Sequence, residues 1–433
     1  MRLLRGRKKR RACVVGLDGV PFGLLTRLAD TGVMPRTAAI LKSGRLQKMR
    51  AALPPVSSVC WSSFMTGANP AEHGIFGFTD VDPDTYQLRF PLFSDLAAPA
   101  LWDRLGEKGR RCAVINQPAT YPARAVPGAL VSGFVAPSFG KSVWPTQHLA
   151  PLRRMGYQVD VDTEGARDNP QRFLSDLIAS VKIRQQAVDY FWGVEDWDYF
   201  QIVVTETDRL HHFLWRAVES GGEPWHEQAM EFYQGVDALV GDVWERQAKR
   251  SGEKGEGFVM LSDHGFCEAR REVCLNAWLR EAGYLQYRSD DPASVADIGD
   301  GTRAFCLDPG RIHVNRKGRF ARGGVGEEAS ALAEEIANAL GSLTCEGERV
   351  MAEVFRRDAV YRGSKVALAP ELVALGRPGF DLKGTTKGKE VFASPRFQGM
   401  HTWDDAFVWS RLALPEEPEI SDIASPLCGW LLG

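Results

Sequence analysis

Short, uninterrupted apolar runs alternate with amphipathic stretches along most of this chain. Ala12 to Leu17 is solidly apolar and stops at Asp18-Gly19. Cys112 to Ile115, Trp197 to Thr205 and Gly257 to Ser262 have the same character. Runs of this length suit strands buried on both faces of a parallel sheet. Between them lie stretches with helical spacing: Pro21 to Leu28, Met34 to Lys42 with Gly44 placed as a C-terminal glycine, and Trp225 to Ala248. The longest opens at Asn169-Pro170, an N-cap residue followed by proline in the first turn. It carries Leu174, Leu177, Ile178, Val181, Val188, Phe191 and Trp192 on one stripe and is expected to stop at Gly193. That stripe reads as core packing.

Strands separated by helices predict an α/β fold: a doubly wound, mostly parallel sheet with helices on both faces. Residues 300–390 are mixed, with strands expected at Arg311 to Asn315 and Glu371 to Ala374 and a helix at Glu327 to Leu340. They read as a small inserted α+β lobe or an extension of the main sheet. Residues 286–300 are polar and acidic, as a loop would be.

The composition is that of an ordinary globular protein: 433 residues, 44% hydrophobic and 25% charged, with a net charge of -2. That balance excludes a dedicated nucleic-acid binder, which would be strongly basic. It is uneven, however. Residues 1–12 hold seven basic groups and no acid, so the remainder carries 46 basic against 55 acidic groups. Residues 1–11 read as a disordered, solubilising arm, with a nuclear-localisation or lipid-surface role as the alternative; any nucleic-acid or membrane contact would be sought there. No apolar run approaches the roughly 20 residues of a membrane span, and the apolar stretch after the basic start is too short for a signal peptide. The expected location is the cytoplasm. The eight cysteines are scattered without a C-x-x-C pair and read as buried thiols. Gly140-Lys141-Ser142 lacks the preceding glycine spacing of a P-loop, and Gly324-Val325-Gly326 lacks the strand that a dinucleotide fingerprint needs.

The acids and histidines are placed less evenly than the composition suggests. Asp18 follows the first strand, Glu206 and Asp208 follow Trp197 to Thr205, and Asp263-His264 follows Gly257 to Ser262. The carboxyl ends of strands in a doubly wound sheet converge on the ligand crevice. Carboxylates gathered there repel one another unless a cation sits among them, and a divalent metal meets that need. Asp208 and His212 are spaced i, i+4, which puts both on one face of a helix. His401 lies far down the chain, beside Gly399-Met400. Ser57, in Pro54-Pro55-Val56-Ser57-Ser58-Val59-Cys60-Trp61, stands where the chain enters a helix, whose N-terminus favours an alkoxide and an incoming phosphate.

With Gly16-Leu17-Asp18-Gly19, Asp208-Arg209-Leu210-His211-His212, Ser262-Asp263-His264-Gly265 and Gly399-Met400-His401, this run resembles the alkaline phosphatase superfamily. The resemblance is to its type I phosphodiesterase/nucleotide pyrophosphatase group and the related phosphohydrolase/phosphomutase branch. It covers about residues 14 to 405. Asn116-Gln117-Pro118, Ser132-Gly133-Phe134 and Asn276-Ala277-Trp278-Leu279 are weaker matches. The resemblance implies two divalent metals, zinc or alternatively manganese. Asp208, His212 and His401 would hold one; Asp18, Asp263 and His264 would hold the other, with Ser57 bridging or beside it. Ser57 would be the nucleophile, with Ser58 the runner-up, forming a phosphoseryl intermediate that water hydrolyses.

The implied function is metal-dependent hydrolysis of a small-molecule phosphate ester, as a phosphomonoesterase or phosphodiesterase. The alternatives are a phosphomutase and a non-catalytic binding protein that keeps the fold. The sequence departs from the nucleotide pyrophosphatase pattern at Phe78, where those enzymes carry a phosphate-contacting asparagine. His211 is the rival to His212, and His73 is expected to fix a loop by hydrogen bonding. His148, His226 and His313 are expected to be surface or core histidines. Glu206 is expected either beside a ligand or as a solvated acid, and Trp215 and Trp403 to line the substrate pocket. With ligands spanning 18 to 401, residues 12–433 are expected to be one catalytic domain. The oligomeric state is left open.

Overall fold

The structure is a computed structural model that describes residues 10–251 and 255–433. Residues 1–9, most of the basic arm, lie outside the described residues. Arg10 and Arg11, assigned to the arm from the sequence, instead pack on the body. The Arg10 guanidinium lies 4.3 Å from the Trp430 ring centre, and Arg11 donates to the Trp197 carbonyl and pairs with Asp196 at 3.2 Å.

An eight-stranded sheet organises the chain. Across it run Arg45–Met49, Ala406–Ser410, Phe258–Leu261, Ala12–Leu17, Tyr199–Val204, Cys112–Gln117, Gly128–Ser132 and Val143–Trp144. Only Ala406–Ser410 and Val143–Trp144 run against the rest. The first strand sits centrally, parallel to Tyr199–Val204 on one side and Phe258–Leu261 on the other. Burial on both faces explains its unbroken apolar run. Cys13, Val15 and Leu17 join one core, whereas Ala12 and Val14 join another, as the two-residue repeat of a strand requires. The first core lies under the helices Pro170–Val194 and His226–Ser251. The second lies under Ser57–Thr66, Leu101–Glu107 and Ala424–Leu432.

The long helix begins as its sequence predicts: the Asn169 side chain accepts from the Arg172 N–H at 3.0 Å, a cap that contributes about 1 kcal/mol. It runs through Gly193 to Val194 rather than stopping at the glycine. Gly44 is not a left-handed cap either. A Cβ there would sit 2.4 Å from the Trp409 indole, so its role is to admit that ring.

Residues 300–390 contribute no strand to the large sheet. They build a four-stranded antiparallel sheet in the order Ala304–Leu307, Arg311–Val314, Leu372–Gly376, Met351–Arg356, covered by the helix Ala329–Gly341. Its apolar core also takes in Val273 to Leu285 and Val391. A separate two-stranded pair, Gly265–Glu268 with Gly399–Thr402, is decisive for the site, because it sets His401 directly across from Phe266.

Candidate active site

The central strands deliver their acids to one edge of the sheet. Asp18 follows Leu17, Asp208 lies in the first turn of the helix Glu206–Glu219 that follows Val204, and Asp263-His264 follows Leu261-Ser262. The turn after Asp18 needs Gly19, whose φ is +66°. Its N–H donates to Asp263 Oδ1 at 3.0 Å and its carbonyl accepts from His211 Nδ1 at 2.9 Å, so one residue ties three elements together.

The structure brings together all seven residues expected from the sequence: Asp18, Ser57, Asp208, His212, Asp263, His264 and His401. His212 Nε2 and His401 Nε2 lie 3.4 and 3.2 Å from Asp208 Oδ1, and 3.0 Å from each other. His264 Nε2 lies 3.7 Å from Asp18 Oδ1 and 3.4 Å from Asp263 Oδ2. The His264 and His401 rings stack with centres 3.7 Å apart, which joins the two halves. Ser57, the first residue of the helix Ser57–Thr66, donates from Oγ to Asp18 Oδ1 at 3.2 Å and lies 3.2 Å from His264 Nε2. Ser58 Oγ is buried and has no partner. The nearby Cys60 is fully buried, which pushes its thiol well up, and Sγ faces the Ala52 carbonyl.

The tautomers point to cations. His212 Nδ1 faces the Gly399 carbonyl at 3.2 Å, His401 Nδ1 the Pro55 carbonyl at 2.9 Å and His264 Nδ1 the Gly265 carbonyl at 3.1 Å. A carbonyl only accepts, so each Nδ1 carries the proton, and in its neutral form each ring turns its Nε2 lone pair inward. Two lone pairs 3.0 Å apart repel unless something positive lies between them. The carboxylates repeat the argument, for Asp208 Oδ1 and Asp263 Oδ2 are buried without a hydrogen-bond donor. Burial pushes the Asp18 carboxyl well up, and the Asp263 and Asp208 charges push it further. Burial likewise raises Asp263. Burial would raise Asp208 too, whereas the Arg209 guanidinium beside it lowers it.

Two groups have ligand atoms close enough to share an ion: Asp208, His212 and His401; and Asp18, Asp208 and His264. Asp208 thus reaches both, while Asp263 adjoins the second through His264 and Gly19. Oxygen and imidazole donors without thiolate fit a divalent metal.

Other expectations resolve differently. His211 is turned away, with one nitrogen on the Gly19 carbonyl and the other on the Tyr233 hydroxyl, and so is no rival to His212. His73 is the loop residue expected: the Ile75 N–H donates to Nδ1 at 3.2 Å, so Nε2–H faces Ser63 Oγ at 3.0 Å. Neither expectation for Glu206 holds. It is fully buried and pairs with the equally buried Arg184 at 2.9 Å. Trp215 packs on Phe266 in the core, and Trp403 lines a different cavity, behind the Ser57 helix. The substrate side is a cleft of about 380 Å³ lined by Phe78, Phe90, Phe134, Phe213 and Phe397 on its apolar walls. Phe78 stacks on Phe134 with ring centres 5.3 Å apart. Sequence reasoning missed several polar groups, among them Arg209, which lines this cleft, and Asp160, which pairs with it.

An eight-stranded, mostly parallel sheet with a carboxylate–histidine cluster at its carboxyl edge is the alkaline phosphatase-like architecture. The type I phosphodiesterase / nucleotide pyrophosphatase family model matches residues 12–404, nearly the whole chain, and the protein belongs to that family. It is thus a phosphohydrolase-type enzyme of the alkaline phosphatase superfamily. No curated protein matches it in sequence.

Solved structures share the fold at low identity. Phosphonoacetate hydrolase from Sinorhizobium meliloti 1021, in complex with phosphonoformate, is 16% identical with a TM-score of 0.62, over 99% of this chain and 98% of that one. Murine ectonucleotide pyrophosphatase/phosphodiesterase 5, in complex with AMP, is 13% identical with a TM-score of 0.57, over 98% and 95%. The alkaline phosphatase PafA is 13% identical with a TM-score of 0.62, over 98% and 96%.

Proposed function

We propose that this enzyme hydrolyses a small-molecule phosphate ester through Ser57, with two divalent metals, zinc or manganese, held by Asp208, His212 and His401 and by Asp18, Asp263 and His264. One observation carries the reading: the Ser57 hydroxyl lies between Asp18 and His264, beside inward lone pairs and unpaired carboxylate oxygens that call for cations. The phosphonoformate and AMP bound by the two structural relatives support a phosphoryl group in this cleft.

The metals, when bound, would lower the pKa of an attacking hydroxyl and stabilise charge on the leaving oxygen. The chain's own residues do the rest. Asp18, which accepts from its hydroxyl, fixes the Ser57 rotamer, and the helix start offers amide dipoles to the phosphoryl oxygens. Ser57 loses its proton to solvent as its Oγ–P bond forms. The ester P–O bond breaks, and the departing oxygen takes a proton from water. Water then cleaves the phosphoserine to inorganic phosphate and restores Ser57.

The test is turnover of p-nitrophenyl phosphate and its bis ester. Ser57→Ala is expected to lose several orders of magnitude, and chelation to abolish activity until metal is restored. Full activity in Ser57→Ala would remove Ser57 from the mechanism. Inorganic phosphate as the product supports a hydrolase; an isomerised phosphate ester would make the enzyme a mutase. Two bound metals with no turnover across a broad ester panel would leave a binding protein.

A further inference from the structure

Among the described residues lining the cleft, two side chains carry a fixed positive charge, Arg209 and Lys383. Lys383 is spent on Asp381, at 2.8 Å. Arg209 is held differently. Its Nε lies 3.0 and 3.1 Å from the two Asp160 oxygens, one terminal nitrogen donates to Asp160 Oδ2 at 2.6 Å, and the other to Asp208 Oδ2 at 3.2 Å. Its plane lies against the Phe134 ring, with the guanidinium carbon 4.2 Å from the ring centre. Five N–H groups are available to an arginine, and these bonds use three. The two that remain, one on each terminal nitrogen, belong to a side chain that is only 14% exposed.

Asp160 is itself placed by buried groups. Arg184 donates to the carbonyls of Gln158 at 2.6 Å and Val159 at 3.0 Å, just before it. The aromatic walls around Arg209, Phe78 and Phe134 among them, are hydrocarbon and offer no hydrogen-bond donor. A phosphate ester entering this cleft would carry oxygens that need donors opposite the metal ligands. A planar, anchored guanidinium suits them better than a flexible ammonium.

We propose that Arg209 is a phosphate-binding residue of this site, and that Asp160 is the positioning residue that aims it. This rests on the phosphoesterase reading above and names the group in this chain that grips the phosphoryl oxygens. Arg209, not position 78, would then supply the hydrogen bonds that hold the substrate against Ser57.

The experiment uses the full, metal-loaded chain and inorganic phosphate as the probe. Phosphate affinity is read by calorimetry, and kcat and KM with p-nitrophenyl phosphate. Arg209→Gln is expected to weaken phosphate binding and lower kcat/KM by about 100-fold. Arg209→Lys keeps the charge but loses the flat, paired geometry, and should lose about 10-fold. Asp160→Asn should raise KM by about 10-fold with a smaller change in kcat, because it loosens Arg209 without removing it. Added guanidinium should partly restore Arg209→Ala, which a merely structural role would not allow. Should Arg209→Gln fail to fold, Arg209→Lys decides. Folded variants with two metals that bind phosphate within twofold of the wild type would overturn the assignment. Wild-type enzyme that neither binds phosphate nor cleaves any ester would instead overturn the phosphoesterase reading beneath it.

Discussion

Trp61→Phe tests how the site holds its acids before any chemistry occurs. The indole is fully buried, and its Nε1 donates to Asp18 Oδ2 at 2.9 Å. The ring fits because residue 16 is glycine; a Cβ there would stand 2.4 Å from the indole. Phenylalanine keeps the apolar contact but removes the donor. A buried carboxyl oxygen left without its donor costs about 1–3 kcal/mol, and the smaller ring adds up to about 1 kcal/mol for the space left. The variant should therefore be destabilised by roughly 1–4 kcal/mol.

Asp18 is a proposed ligand, so metal affinity should fall as well. Loss of a partner that orients a ligand costs about 10- to 100-fold, equal to roughly 1.4–2.7 kcal/mol. The assay is a double-mutant cycle with Asp18→Asn, scored by urea unfolding in chelator, with zinc affinity measured by competition. The Trp61–Asp18 coupling should exceed about 1 kcal/mol. Additive effects within experimental error, together with wild-type zinc affinity in Trp61→Phe, would refute the reasoning.

Three further outcomes follow from buried charge and hydrogen bonding. Burial lowers the His73 pKa from 6.5 to about 3. A depressed folded value means that stability is complete above pH 6.5 and is lost as pH falls toward 3, at up to about 1.4 kcal/mol per pH unit. His73→Gln should flatten the acid limb of stability against pH by that slope; an unchanged slope would contradict the neutral assignment. Arg184→Met strands Glu206 and should cost about 3–5 kcal/mol in thermal or urea unfolding, with the Arg184→Met, Glu206→Gln double variant recovering part of it, since the Gln158 and Val159 carbonyls stay without their donor. Equal destabilisation of the single and double variants would show that the pair is not coupled. Chelated enzyme should unfold at lower temperature than the metal-loaded form by calorimetry, since ions bound only to the native state add stability.

The acidic edge of the large sheet was legible because its signal is local. Apolar runs that end in Asp18, in Asp208 and in Asp263-His264 state both a buried strand and the end at which its acid lies. The i, i+4 spacing of Asp208 and His212 needs only a helix to become geometry. His401 was legible only through the resemblance, since its place depends on the pairing of Gly399–Thr402 with Gly265–Glu268, more than a hundred residues apart. Ala406–Ser410 was not read as a strand, although it lies between Arg45–Met49 and Phe258–Leu261 in the large sheet. Its five residues follow a turn and gain their partners only from distant segments. Glu206 went unrecognised as an ion-pair acid because its partner, Arg184, sits on the apolar stripe of a helix 22 residues earlier. Asp160 and Arg209 lie in a polar loop and beside a metal-ligand motif, with no periodicity to link them. Phe78 was legible as a departure from the family pattern, but its stacking on Phe134 was not.

The central claim is that Ser57 carries the phosphoryl group in turnover. The most direct measurement is acid quenching of the metal-loaded enzyme during turnover of a phosphorus-labelled aryl phosphate, followed by peptide mapping. The account predicts label on Ser57, formed fast enough to account for turnover and absent in Ser57→Ala. Label on Ser58, or steady turnover that never labels the protein, would contradict it.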